Sequence, residues 1–181
     1  MSKKQSFEKK TIIKLYKKSI NDVIWTHKIH ATLLDDLNKK NKFFGICKEI
    51  IVGVSSFVSI VFLYFECYAG ALITNAVTTI SIVFDSIFKF SNYENKIRLT
   101  SEVVNELWYM KERLFQYKEY LESDIIDCNE AKQTLDQMLI DRKQIYSKLF
   151  PVSDKIVEKA SDKLLNRKDE EVNKQFFEEK E

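Results

Sequence analysis

The run from Ile50 to Phe84 constrains this chain most, because its only charge is Glu66 in a protein that is 31% charged overall. Glu66 divides the run into two uncharged segments, Ile50–Phe65 and Cys67–Phe84. A helix that crosses the hydrocarbon core of a bilayer needs about 20 mostly apolar residues, at about 1.5 Å each. The first segment reaches that length when it starts at Phe43, which leaves Lys48 and Glu49 near the membrane edge. A lysine stem there reaches back to the headgroups. The second segment runs from Tyr68 to Phe88, with Asp85 in its last turn. The pattern predicts a transmembrane hairpin over residues 43–88, with spans 43–65 and 68–88 and a tip at the far surface. A buried hairpin in a soluble helical protein competes with it, and polar residues in both segments keep that reading open.

The flanks favour the membrane. Lys39, Lys40, Lys42 and Lys48 precede the first span, Lys89, Lys96 and Arg98 follow the second, and the tip carries no basic residue. The positive-inside rule then puts both termini in the cytoplasm. Aromatic residues also collect at the two expected headgroup levels: Phe43, Phe44, Phe84, Phe88, Phe90 and Tyr93 at one, Tyr64, Phe65 and Tyr68 at the other. No early apolar run suggests a cleavable signal peptide.

With three glycines and one proline, the chain has few turn residues, so the expected fold is all-α. It comprises an N-terminal amphipathic helix (1–42), the hairpin, a cytoplasmic helical bundle (89–165) that includes the first helix, and a charged tail (166–181). Charge is uneven: residues 1–49 hold twelve lysines against five acids, while residues 89–181 hold seventeen bases against twenty acids. A basic arm beside a membrane is drawn to anionic lipid. Its charges alternate with apolar residues instead of forming one dense patch, so no nucleic-acid partner is expected.

From Phe7 to Asn38 the residues Ile13, Tyr16, Ile20, Val23, His27, His30, Leu34 and Leu37 recur at spacings of three and four. Such a seam needs a partner helix. His27 and His30 sit in it beside Trp25, either as packed polar residues that set register or as a pH- or metal-responsive pair. No third ligand accompanies them, so no metal is expected. Partner seams follow the hairpin: Val103, Leu107, Met110, Leu114, Tyr117 and Leu121, with Trp108 beside them, and then Ala131, Leu135, Met138, Ile145 and Leu149. Arg142 interrupts the last face, so it either snorkels or pairs with an acid on a neighbouring helix. Ser123-Asp124 and Cys128-Asn129 offer turn and capping chemistry. Pro151 breaks the chain, and Ser153 can cap a last helix that docks through Ile156, Val157, Ala160 and Leu164.

Catalytic signatures are missing. There is no glycine-rich phosphate loop, no GxSxG elbow and no nucleophile–base pairing, and Cys47, Cys67 and Cys128 lack metal spacing. The expectation is a non-enzyme without a cofactor.

The second span carries a polar stripe: Thr74, Thr78, Ser81 and Asp85 on one helical face, with Asn75 and Thr79 beside it. In lipid such side chains need partners or water. They glue helices together within an oligomer, or they line a water-filled pathway built from several copies. Asp85, at the end of the span, suits the mouth of such a pathway.

The order of parts resembles the SLATT-domain family, two-transmembrane effectors found beside nucleotide-second-messenger and SLOG systems in bacteria. The resemblance rests on the helix ending in Trp25-Thr26-His27-x-x-His30, the lysines from Lys39 to Lys42, the tight apolar hairpin, Trp108, the helix pair to Phe150, and Pro151 leading to Ala160. It covers roughly Thr11 to Leu165. It implies a multi-pass protein of the bacterial inner membrane that assembles as a homo-oligomer and permeabilises the membrane in anti-phage or related conflict. The trigger would come from a partner, such as an upstream sensor or nucleotide-signalling protein, or from the cytoplasmic bundle itself. The alternative is a non-conducting membrane adaptor that recruits partners through its cytoplasmic heptad helices.

Overall fold

The computed structural model describes residues 3–64 and 68–165, with side chains left undescribed at 3–5, 62–64, 68–72, 74, 85, 87–91 and 165. The hairpin tip with Cys67, and the charged tail expected from Asn166 to Glu181, lie outside the described residues. The fold is all-α: α1 (Lys3–Tyr64), α2 (Tyr68–Ser91), α3 (Tyr93–Glu122), α4 (Cys128–Ser147) and α5 (Asp154–Leu165). No strand occurs among the described residues. The first helix does not stop at Asn38; α1 continues unbroken into the first apolar span. Nothing between Asn38 and Phe43 removes an amide hydrogen or demands a turn, so the helical ladder simply propagates.

Two compact units divide the chain. One contains residues up to Leu34 and from Leu99 onward; the other spans Asp35–Arg98.

The first unit is a bundle closed by the predicted seams. Tyr16, Ile20 and Val23 of α1 pack with Val103, Leu107, Met110, Leu114 and Leu121 of α3 and with Ala131, Leu135, Met138 and Ile145 of α4. Leu107, Leu114 and Leu121 are essentially inaccessible to water. Each such leucine contributes about 1.5–3 kcal/mol relative to an exposed one. One seam position shifts: Ile12 is buried and Ile13 only partly so, because Ile12, Tyr16 and Ser19 follow the 3.6-residue helical period more closely than the heptad set does. Tyr117 and Leu149 pack at the edge of this core instead of inside it. In α5, Ile156, Ala160 and Leu164 are buried.

Capping differs from the sequence reading at one joint. Asp127, not Cys128-Asn129, caps α4: its carboxylate accepts from the Glu130 backbone N–H at 2.8 Å. An aspartate at this position satisfies one of the orphan amides of the first turn. Asp124, two residues past the end of α3, takes the left-handed conformation (φ 58°), as its short polar side chain allows. Ser153 opens α5, its carbonyl accepting from the Ile156 and Val157 amides. Arg142 resolves as a pair: its guanidinium donates to Asp22 of α1 at 3.3 Å and lies over the Tyr146 ring.

The second unit holds α2 with the membrane-like part of α1. Phe44 of α1 sets the local packing, with Phe84 at 5.7 Å and Tyr93 stacked at 5.7 Å between ring centroids. Lys40 pairs with Asp36 one turn earlier, and this hydrogen bond raises the lysine pKa. Asn92, also left-handed (φ 48°), separates α2 from α3 with a single residue.

Candidate functional site

The apolar stretch of α1 has the opposite burial from the bundle. Its most apolar 18-residue stretch has a mean hydropathy of 1.8, and none of that stretch is buried. Phe57 is 69% exposed and Ile60 67% exposed. On α2 the apolar stretch Asn75–Phe84 likewise turns Ile80, Ile82 and Val83 outward. In water this surface would cost far more than a small domain's stability; in lipid it costs nothing. Among the described residues, α1 is the one helix long and apolar enough to cross a membrane.

The polar residues of the two helices are handled locally. Ser56 donates to the Val52 carbonyl at 2.9 Å and Ser59 to Ser55 at 2.8 Å. On α2, Thr79 donates to Asn75 at 2.8 Å, Ser81 to Val77 at 3.0 Å and Ser86 to Ile82 at 2.8 Å. Each hydroxyl proton is therefore spent on the preceding turn of its own helix, a third outcome beside glue or water. The oxygen lone pairs remain, so these positions present acceptors only.

The expected stripe divides accordingly. Thr78 is exposed and Ser81 half-buried, and both line a groove against α1. Asn75 is exposed, and its side-chain amide makes no hydrogen bond among the described residues. Thr74 and Asp85 are helical in backbone, but their side chains lie outside the described residues. Lys48, read from sequence as a flanking charge that reaches back to the headgroups, lines the same groove as Thr78 and Ser81. Only the register between α1 and α2 could have shown that, and no sequence signal carries it.

Within the bundle, the residues Trp25, His27, His30 and Trp108 do not form one cluster. His27 meets Trp108 with ring centroids 5.8 Å apart, and the Lys111 ammonium sits 3.5 Å over the Trp108 ring. His30 is buried, and burial lowers its pKa. Trp25 is exposed. Among the described residues no group of three His, Cys, Asp or Glu side chains is placed to hold a metal.

Sequence reasoning missed the polar ties across the bundle. Tyr16 donates its hydroxyl to the Ala131 carbonyl at 2.9 Å, and burial, with Tyr117 nearby, pushes its pKa up to about 12. Thr26 and Tyr146 share a hydroxyl hydrogen bond of 2.9 Å. Lys9 ties the start of α1 to Asp124 and to the Glu122 carbonyl. These are local geometries between residues more than a hundred positions apart.

One unit keeps its apolar surface inward and the other turns it outward, as a membrane-attached helical domain requires. The sequence model of the SMODS and SLOG-associating 2TM effector domain family 4 matches residues 12–181. The chain belongs to that family. Comparison with curated proteins and with solved structures gives no match. As a SLATT-family 2TM effector domain, the chain is a membrane protein of conflict systems. The match starts at Ile12, the first buried position of the α1 seam, so it takes in the bundle as well as the hairpin.

Proposed function

We propose that this SLATT-family chain is a non-enzymatic effector that oligomerises in the bacterial inner membrane and permeabilises it during conflict with phage. Both termini and the bundle lie in the cytoplasm, and an upstream sensor or nucleotide-signalling protein supplies the trigger.

The observation that carries this reading is Asn75. It lies on an exposed face of an apolar helix, and its amide is unsatisfied among the described residues, whereas Ser81, Ser86 and Thr79 satisfy their own protons. Seven residues into α2, it is about 10 Å from the start of that helix and so within the hydrocarbon. An asparagine amide there finds its partner on another helix, which drives association by about 1–2 kcal/mol. Gly53 adds support: a Cβ built there would meet nothing within 4 Å, so packing inside one copy gives no reason for glycine. Close approach of a second copy does.

The test is Asn75→Leu in the full-length protein. Crosslinked oligomers in isolated membranes and collapse of the membrane potential on expression are both expected to fall to background, with carbonate-resistant membrane retention unchanged. Full permeabilisation by Asn75→Leu would refute the oligomeric reading.

One observation favours the adaptor reading instead. Tyr109 on α3 is 70% exposed, an aromatic side chain of the kind enriched at protein interfaces. An adaptor tolerates Asn75→Leu but loses function when Leu107 receives a charge, because the bundle then opens.

A further inference from the structure

Within the hairpin unit, α1 and α2 frame a groove of about 320 Å³. That is the low end of the range for small-molecule sites, about 300–1,000 Å³. Its chemistry is split. Lys48 brings an ammonium from α1, and Ser81 and Ser86 bring hydroxyl oxygens from α2. Ile51, Val52 and Ile82 supply an apolar wall.

The depth of the groove is set by its neighbours. Lys48 lies four residues, about one turn, beyond Phe44, which packs on Phe84 and Tyr93. Aromatic residues of this kind mark the headgroup level. Lys48 is exposed, and its flexible stem is long enough to bring an ammonium to that level, while Ile51 and Val52 continue into the hydrocarbon.

We infer that this groove binds an anionic phospholipid with a hydroxylated headgroup. The inference rests on the membrane placement of the hairpin but not on pore formation. Lys48 meets the phosphate, and the acyl chain lies along Ile51, Val52 and Ile82. A basic pocket between two spans at the headgroup level is a recognised way to hold an acidic lipid. The serines refine the choice. Ser81 donates its proton to Val77 and Ser86 to Ile82, so both oxygens act only as acceptors. A glycerol headgroup supplies a hydroxyl donor to Ser86, on the outward side of Phe84, whereas choline supplies none.

The sequence motifs gave no hint of this site, because Lys48 read as one flanking lysine among several. The groove singles it out: Lys39, Lys42 and Lys96 are also exposed yet do not line it.

The test uses the full chain reconstituted in vesicles of equal parts phosphatidylglycerol and phosphatidylcholine, then analysed by native mass spectrometry for retained lipid. The wild-type protein is expected to retain phosphatidylglycerol over phosphatidylcholine. Lys48→Gln is expected to lower that retention about five-fold, the equivalent of about 1 kcal/mol for one basic residue at an anionic surface. Lys48→Arg is expected to retain the lipid, and Lys39→Gln, with the same change in net charge, to leave it unaltered. Asn75→Leu should not affect it, since Asn75 does not line the groove. Equal loss in Lys48→Gln and Lys39→Gln, no loss in either, or equal retention of both lipids by the wild type would overturn the lipid site while the membrane placement stands. Release of the wild-type protein from membranes by alkaline carbonate would overturn both.

Discussion

The two units use the same residue types for opposite ends. In the bundle, Leu107 and Leu114 are at most 1% exposed, and Tyr16, Ile20 and Val23 are fully covered. In the hairpin unit, Phe57 and Ile60 face outward and are more than half exposed. An apolar side chain is stabilised by leaving water, and a folded core and a bilayer both accomplish that. Burial inside the protein therefore reports which solvent each unit was built for, more than how well it is packed. The polar groups differ in the same way. The bundle spends some hydroxyls on neighbouring helices, as Tyr16 does with Ala131, and others on their own preceding turns, as Thr11 does with Phe7, while Ser59 and Ser81 of the hairpin bond only their own preceding turns.

The sharpest way to break this contrast is a matched truncation. Leu107→Ala should destabilise the bundle by about 3 kcal/mol in denaturant unfolding of the detergent-solubilised protein, since it opens a cavity in a closed core. Ile60→Ala, at a site 67% exposed, should change that unfolding by less than about 0.5 kcal/mol. Equal losses would show that the hairpin is packed in protein and would remove the contrast.

A smaller effect comes from Thr100, which is buried and whose hydroxyl has no partner among the described residues. Thr100→Val keeps the shape and removes the stranded polar group. It should stabilise the bundle by about 1 kcal/mol, read as a rise in the thermal midpoint. The exchange Thr79→Val in α2 offers the comparison: that hydroxyl is already satisfied by Asn75, so no comparable gain is expected.

The smallest expected effect is pH-dependent. Burial holds the His30 pKa below its ordinary 6.5. On acidification the unfolded chain takes up this proton first, so the unfolded state gains. The contribution of His30 is complete above about pH 6.5 and is lost as pH falls from there toward the lower folded pKa. His30→Asn should flatten that limb of the bundle's stability profile. An unchanged limb would show that His30 does not titrate against burial.

Much of the bundle was legible because its signal is periodic. Val103, Leu107, Met110, Leu114 and Leu121 were read correctly from spacing alone, since a helix face repeats whatever packs on it. The misplacement of Ile13 for Ile12 arose where a heptad frame and the true helical period drift apart. The α4 cap was misread because Asp124, Asp127 and Asn129 all satisfy the local rule, and only the path of the chain selects Asp127. The partner of Arg142 was out of reach in principle, because Asp22 lies 120 residues away. The site suffered most from this limit. Asn75 could be placed on a face by counting, but the groove that unites Lys48 with Thr78 and Ser81 depends on how α1 and α2 slide against each other.

The long-range ties of α1 set an order of events during synthesis. Tyr16 waits for Ala131, Lys9 for Asp124 and Asp22 for Arg142, each well over a hundred residues further along the chain. The hairpin unit, residues 35–98, has been made in full before any of those partners exists. The ribosome therefore delivers the apolar hairpin while Ile20 and Val23 still lack a core to enter. For the bundle, closure is the last step, and a chain stopped short of α3 has its membrane segments but no means of covering the first helix.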